Sequence, residues 1–267
     1  MRLLYIYIVL LISGSCILSS QTAYIPTPLQ PAKERVPGYL GFIIGFGQNF
    51  QSGEYYVDCL DCIFEDGVSG GFTFGISYDR VATSWLKYGI AGFYDYSGIS
   101  NSFRETEIIP FELENSGIKE NIPVQFRHTS DIDLHYLTAM PYIKIEPANF
   151  FFFRIGFGAS YTFASSLKHE KELTQREATL SNGATVSIRI PGTDGYKVTI
   201  QDSEVRDLNN LQLYLMPALG LKINFSATTY LLPYFQYNMA LTDISENGKD
   251  FRINQWRLFL ELGFKLH

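Results

Sequence analysis

Residues 255–267 read Gln-Trp-Arg-Leu-Phe-Leu-Glu-Leu-Gly-Phe-Lys-Leu-His, and their apolar residues fall on alternate positions. One set is Trp256, Leu258, Leu260, Leu262, Phe264 and Leu266. The other set is Arg257, Phe259, Glu261, Gly263, Lys265 and His267. Because successive side chains of a β-strand point to opposite faces, the stretch predicts a strand with one wholly apolar face. Such a face packs on the core of a soluble protein or contacts lipid on a membrane barrel.

The same alternation recurs along most of the chain. Seven earlier stretches carry it: residues 39–47, 72–79, 86–95, 131–145, 151–163, 211–224 and 233–241. The connections between the strands are alternately long and short, and the longest polar ones are residues 97–129 and 165–207. Within the second, residues 185–190 and 196–200 predict a small hairpin of their own. The sequence therefore predicts an all-β fold, an eight-stranded antiparallel up-and-down transmembrane β-barrel with short periplasmic turns and long extracellular loops.

The composition agrees with this class of fold. The chain has 267 residues and a formal net charge of −6, with 21 Phe, 18 Tyr and 22 Gly, while 18% of its residues are charged. Aromatic residues together with glycine favour β-structure in which backbones and side chains pack closely. The mild acidity does not favour nucleic acid as a partner. No helical period of useful length follows the N-terminus, which excludes α/β folds and transmembrane helix bundles.

The N-terminal region predicts export. Residues 1–20 combine Arg2, an apolar stretch and small residues, the pattern of a cleaved secretory signal peptide. The alternative is an N-terminal membrane anchor, although the apolar stretch is short for a membrane span. Cys16 loosely resembles a lipoprotein signal. Residues 21–38 contain four prolines and predict an extended periplasmic linker, and residues 39–267 are the predicted barrel domain.

Two cysteines follow the signal, in Asp-Cys-Leu-Asp-Cys. In an exported chain, Cys59 and Cys62 are most simply explained as a disulfide that closes a small loop. A zinc site needs about four ligands, and no second Cys/His pair stands at suitable spacing. A thioredoxin-like redox motif would need a βαβ context, which this sequence lacks. The sequence predicts no metal and no cofactor.

The polar faces of the strands decide between a lipid-facing and a soluble barrel. A lipocalin-like barrel would place the apolar faces inside, but eight strands enclose an interior just wide enough for side chains. Small residues with isolated charges fit that lumen better than rows of Leu and Phe. The predicted lumen charges are Asp79, Lys87, Asp95, Arg154, Lys222, Arg257 and Glu261. Pairing makes their burial tolerable and predicts a structural plug, while a conduction path is the alternative.

The best candidate for chemistry lies in the fourth strand. Asp131, Asp133 and His135 alternate onto one face near the predicted long-loop rim, opposite Ile132, Leu134 and Tyr136. A histidine beside carboxylates can activate water or bind a divalent metal. The ordinary interpretation is a polar lumen mouth with no catalytic residue. His169 lies in a charged stretch and is expected to be solvated. No phosphate-binding glycine loop is present.

The chain resembles the outer-membrane β-barrel domain family common in Bacteroidetes and, more distantly, OmpA/OmpX-type eight-stranded barrels. Four stretches carry the resemblance: residues 41–47, 71–75, 136–144 and 258–264. The resemblance implies a Gram-negative cell envelope, the bacterial outer membrane as location, and outer-membrane lipid as surroundings. It also implies insertion by the barrel-assembly machinery, which recognises the C-terminal strand.

Three functional hypotheses follow. The first is a non-enzymatic barrel of structural or surface-interaction type, whose extracellular loops bind a ligand or an envelope or surface protein. The second is a rim-active hydrolase that uses Asp131, Asp133 and His135. The third is a small, porin-like channel.

Overall fold

The computed structural model describes residues 37–57, 62–112, 119–181, 183–190, 193 and 195–266. The predicted signal, residues 21–36 of the predicted linker, Cys59 and His267 lie outside the described residues. The strands are β1 Gly38–Tyr56, β2 Ile63–Phe64, β3 Val68–Val81, β4 Leu86–Glu112, β5 Lys119–Ala148, β6 Phe151–Leu173, β7 Glu177–Thr179, β8 Thr185–Ser187, β9 Lys197–Ser203, β10 Leu211–Leu221, β11 Ile223–Asn224, β12 Thr229–Ala240 and β13 Gly248–Leu266. Within the described ranges, no helix is long and apolar enough to cross a bilayer.

Eight of these strands close into a ring. The order around it is β1-β3-β4-β5-β6-β10-β12-β13, every neighbouring pair is antiparallel, and β13 returns to β1. Short turns join the strands at one end, for example residues 82–85 between β3 and β4 and residues 149–150 between β5 and β6. The longer connections lie at the other end. The predicted eight-stranded antiparallel barrel is confirmed.

The outer wall of the ring is an apolar belt. On β1 the side chains of Phe42, Ile44 and Phe46 are 53%, 62% and 66% exposed, while Ile43 between them is 1% exposed. The other ring strands repeat this arrangement, because alternation sends every second side chain outward. The belt includes Phe72, Phe74, Ile76, Tyr88, Ile90, Leu137, Ile143, Phe153, Ile155, Phe157, Leu219, Phe235, Leu258, Leu260 and Leu262.

Aromatic rings share the lumen with small residues, contrary to the expectation that small groups and charges alone would fill it. Gly45 stands opposite Phe259, and Gly263 stands opposite Tyr230. A Cβ atom on Gly45 would lie 2.3 Å from Phe259 Cδ1, and one on Gly263 would lie 2.2 Å from the Tyr230 ring. The large rings fit because each lies over the bare backbone of a glycine on the neighbouring strand.

The two predicted long loops are largely β-structure, which corrects the sequence analysis. β4 and β5 continue as one hairpin far beyond the belt, paired from Ser97–Leu134 to Glu112–Lys119. β6 extends to Leu173 and pairs with β9. We call residues 98–112 of β4, 119–134 of β5 and 165–173 of β6, together with β7, β8 and β9, the arm. The prediction of loops failed because a strand surrounded by water carries polar residues on its exposed face.

The small hairpin predicted from residues 185–190 and 196–200 is also wrong. β8 pairs with β7, whereas β9 pairs with β6. The two stretches therefore belong to different sheets. The hairpin prediction failed because β6 extends to Leu173 and provides the partner of β9.

The face assignment of the fourth predicted strand needs correction as well. Ile132, Leu134 and Tyr136 of β5 point into the barrel and are at most 1% exposed. They belong to an upper core inside the arm end of the barrel, which comprises Tyr55, Val57, Cys62, Phe64, Ile99, Ile132, Leu134, Tyr136, Leu167, Val205, Ile244, Phe251 and Ile253. Asp131, Asp133 and His135 therefore lie on the outer wall. Above the belt the outer wall carries polar residues, and the inward face of β5 is apolar there, as in a soluble protein.

Candidate functional site

Buried ion pairs begin at the short-turn end of the lumen. Glu146 of β5 accepts hydrogen bonds from Lys87 of β4 at 2.7 Å and from Lys222, between β10 and β11, at 3.0 Å. Beside it, Lys144 donates to Asp79, which also accepts a hydrogen bond from Tyr142. Of these groups, Lys222 is the most exposed. Glu146 thus lies between two lysines, and Asp79 lies between a lysine and a tyrosine of β5.

A second pair occupies the middle of the barrel. Arg154 Nη1 lies 3.3 Å from Glu261 Oε2, and both side chains are fully buried. Ser77 donates to the same carboxylate at 2.8 Å. The Arg154 guanidinium also lies 4.4 Å from the centre of the Tyr234 ring, which adds a cation–π contact.

Asp95 and Arg257 complete the set of predicted lumen charges, but no direct ion pair joins them in the described structure. Asp95 accepts hydrogen bonds from Thr73 and Thr138. Arg257 donates to Asn49 Oδ1 at 2.6 Å. Six of the seven predicted charges are buried inside the barrel, and Lys222 lies between β10 and β11 at the short-turn end, where it pairs with Glu146.

Sequence reasoning missed two members of this network, Lys144 and Glu146. Lys144 has the same parity as Tyr142 and Met140, so assigning that face of the strand to lipid hid it. Glu146 was placed in a turn, although β5 continues to Ala148. The available signal was the lysine itself, since a charged residue on the lipid face of a transmembrane strand is costly.

The rim candidates lie on the outer wall, at the upper edge of the belt. His135 Nδ1 is 2.7 Å from the Tyr94 hydroxyl, Tyr96 donates to Asp133 at 2.5 Å, and Ser100 donates to Asp131 at 2.6 Å. Each candidate is therefore bonded to a hydroxyl of β4. The structure shows no His–carboxylate pair among the three, which a general base oriented by an acid would require.

A buried histidine pair lies where the arm meets the barrel. His128 Nδ1 is 3.0 Å from His169 Nε2, and both rings are nearly inaccessible. The Phe103 ring stacks on His128 with a centroid distance of 4.8 Å. Burial lowers the pKa of both imidazoles, His128 and Lys171 lower that of His169 further to about 4, and both rings are therefore neutral at neutral pH.

The burial of His169 contradicts the expectation that it is solvated. The pairing of β5 with β6 shifts register between His135 and Tyr136, where β6 carries one extra residue, Phe163. This bulge exchanges the two faces of β6, so that Leu167 and His169 face inward above it. Below the bulge, Arg154 and Thr162 are the inward residues.

Cys62 is disulfide-bonded and nearly buried. Its Sγ lies 3.9 Å from His128 Nδ1. The predicted partner, Cys59, lies outside the described residues, so the Cys59–Cys62 pairing stays a prediction. Because its sulfur is in a disulfide, Cys62 is not available as a thiolate ligand.

The arm has an apolar core of its own. Ile122, Val124 and Phe126 of β5 pack with Leu173 of β6 and with Ala178, Leu180, Ile188 and Ile190. On its outer side Ile108 is 69% exposed. The arm is thus a packed sheet that extends past the barrel wall.

A closed antiparallel ring with an apolar outer belt and a charged lumen defines an outer-membrane-type β-barrel. No protein-family model matches the chain, and no curated protein matches it. Among solved structures, Ail of Yersinia pestis is 14% identical, with 85% of this chain and 99% of that chain covered and a TM-score of 0.34. Neisserial surface protein A is 11% identical, with coverage of 86% and 97% and a TM-score of 0.39. The outer membrane protease OmpT from Escherichia coli is 10% identical, with coverage of 88% and 98% and a TM-score of 0.35. Scores this low carry no argument, and the class rests on the ring and its surfaces.

Proposed function

We propose that the chain is a non-catalytic, closed barrel of the bacterial outer membrane whose arm binds an envelope or surface protein. Two observations carry the proposal: buried ion pairs and aromatic rings fill the lumen, and a packed sheet extends beyond the belt. A lumen crossed by Arg154–Glu261 and Lys144–Asp79, all buried, serves anchoring better than transport.

The surroundings and the route of insertion are part of the proposal. Lipid acyl chains cover the apolar belt, since no other solvent suits rows of exposed Phe, Ile and Leu. The barrel-assembly machinery inserts the chain through β13, which holds the alternating C-terminal pattern. Membership of the Bacteroidetes-type barrels, which residues 41–47, 71–75, 136–144 and 258–264 resemble, is also part of the proposal.

Site-specific photo-crosslinking on intact cells tests arm binding. A photoreactive residue at Ile108, on the arm, is expected to capture a discrete protein. The matched control is Phe46, which is 66% exposed but lies in the belt and is expected to capture lipid. The proposal fails if Ile108 captures no more protein than Phe46 does.

Two further measurements address the alternatives. Planar-bilayer recordings are expected to show no steps in conductance, and regular single-channel steps would restore the channel hypothesis. A purified barrel with His135→Ala is expected to behave like the parent chain in hydrolysis assays. A hydrolytic activity that His135→Ala abolishes would instead establish the hydrolase.

A further inference from the structure

Two carboxylates and a histidine meet on the face of the arm that continues the barrel interior. Register pairs Phe103 of β4 with His128 of β5, and Glu105 and Glu107 follow on the same face of β4. One ligand atom from each of Glu105, Glu107 and His128 lies within 4.8 Å of the others. Both glutamates lie in the polar stretch of residues 97–129, where no strand was predicted.

The His128 side chain is buried and has one ring nitrogen without a hydrogen-bond partner. Its ring is 2% exposed, and Nε2 has no hydrogen-bond partner. That atom lies 3.4 Å from Glu105 Oε2. Two ligands on one tetrahedral zinc ion, each at about 2.0–2.1 Å, stand roughly 3.3 Å apart. The separation therefore suits two atoms that share a cation.

The surroundings hold the His128 ring in the required orientation. Phe103 stacks on one side of it, and His169 Nε2 lies 3.0 Å from His128 Nδ1. When His128 donates from Nδ1 to His169, its Nε2 lone pair faces the two carboxylates. Metal-binding histidines commonly use their second nitrogen in this way, so His169 acts as a positioning residue.

We propose that Glu105, Glu107 and His128 form a binding site for a divalent cation of the zinc type. A neutral imidazole with two carboxylates is a ligand set that zinc accepts, with water completing the coordination. The disulfide-bonded Cys62, on the other side of His128, is not a ligand. This site goes beyond partner binding and does not depend on it.

Lys171 of β6 is the competitor for this site. Its ammonium contacts Glu107 and lies 4.1 Å from the centre of the Phe126 ring. In the metal-free protein it neutralises one of the two carboxylates. A bound cation competes with Lys171 for Glu107, so the affinity of the site depends on the charge of Lys171.

Calorimetric titration of the full chain in detergent with Zn²⁺, under non-reducing conditions, tests the proposal. We expect one ion per chain. Glu105→Gln and His128→Phe should each weaken binding at least tenfold, and His169→Asn should weaken it by about 10–100-fold, the range for positioning partners. Lys171→Met should tighten binding, which a purely structural role for these residues does not predict.

The matched control is His135→Ala, which removes a histidine from the outer wall and should leave the affinity unchanged. Heat-modifiable gel migration shows whether each variant folds, and visible absorption of bound Co²⁺ reports imidazole and carboxylate ligands independently of heat. The proposal is overturned if the parent chain gives no binding heat. It is also overturned if folded Glu105→Gln and Lys171→Met bind Zn²⁺ like the parent chain.

Discussion

β5 passes through two regions of the molecule, and its faces exchange character between them. In the belt, Ile143 points outward and Lys144 points into the lumen. In the arm end, Asp133 points outward and Leu134 points into an apolar core. The alternation of β5 continues without interruption, so what changes is the solvent on the outer side.

This exchange marks where the lipid ends. On β1 the outward residues change from Phe46 to Gln48, and on β5 they change from Leu137 to His135 and Asp133. Outward residues are apolar where they contact lipid and polar where they contact water. Inward residues have the opposite character at each level. The apolar residues of β5 therefore face outward in the belt, as in a membrane barrel, and inward at the arm end, as in a soluble barrel.

The largest difference in the free energy of unfolding is expected between an ion pair inside the barrel and one near the rim. Glu261→Gln leaves the fully buried Arg154 without its counter-charge, which costs about 3–5 kcal/mol. Asp243→Asn breaks the Arg252–Asp243 pair at 2.6 Å near the rim, where both side chains are more than a third exposed, and costs at most about 1 kcal/mol. Urea unfolding in detergent micelles measures both, and equal losses would contradict the comparison.

Replacing an outward-facing residue by arginine should destabilise the belt much more than the arm. Ile44→Arg places a cation in the middle of the belt, where its cost is about 2–4 kcal/mol. Ile108→Arg places the same cation on the outer side of the arm, in water, and should change stability by less than about 0.5 kcal/mol. Folding titrations in lipid vesicles compare them. A cost at Ile108 that matched the cost at Ile44 would mean that the arm also contacts lipid.

Substitution of two glycines at the level of the belt compares the inner face of the barrel wall with its outer face. Gly45→Ala forces a methyl group against the Phe259 ring and should cost about 1–3 kcal/mol. Gly92→Ala is the matched control, because nothing lies within 4 Å of its Cβ position. The loss of the folded, fast-migrating gel band with temperature measures the difference, which disappears if Phe259 can turn away.

The smallest effect is expected at the boundary itself. His135→Ala removes one half-exposed hydrogen bond to Tyr94, worth about 0.5–1.5 kcal/mol. The variant should still insert and fold. A larger loss in vesicles than in detergent micelles would show that His135 also contacts lipid headgroups.

The ring was predictable because period-two alternation repeats in all eight strands and survives any error in their ends. The lumen charges were predictable for the same reason, since Arg257 and Glu261 share a face with Gly263. The arm was not predictable, because residues 97–129 carry the polar side chains that both loops and hydrated strands carry. Nor was His169, since one bulge at Phe163 inverts the faces of β6 and no local sequence signal announces it. The Glu105–Glu107–His128 cluster depends on the pairing of His128 with Phe103 within that unforeseen hairpin.

The seam between β1 and β13 has a consequence for how the chain is made. Residues as distant as Gln48 and Arg257, 209 positions apart, meet along it. Before β13 pairs with β1, the sheet is open and has two edge strands, each able to pair with a strand of another chain. Because local hairpins form faster than pairings between distant residues, we expect closure of the ring to be slower than formation of its hairpins.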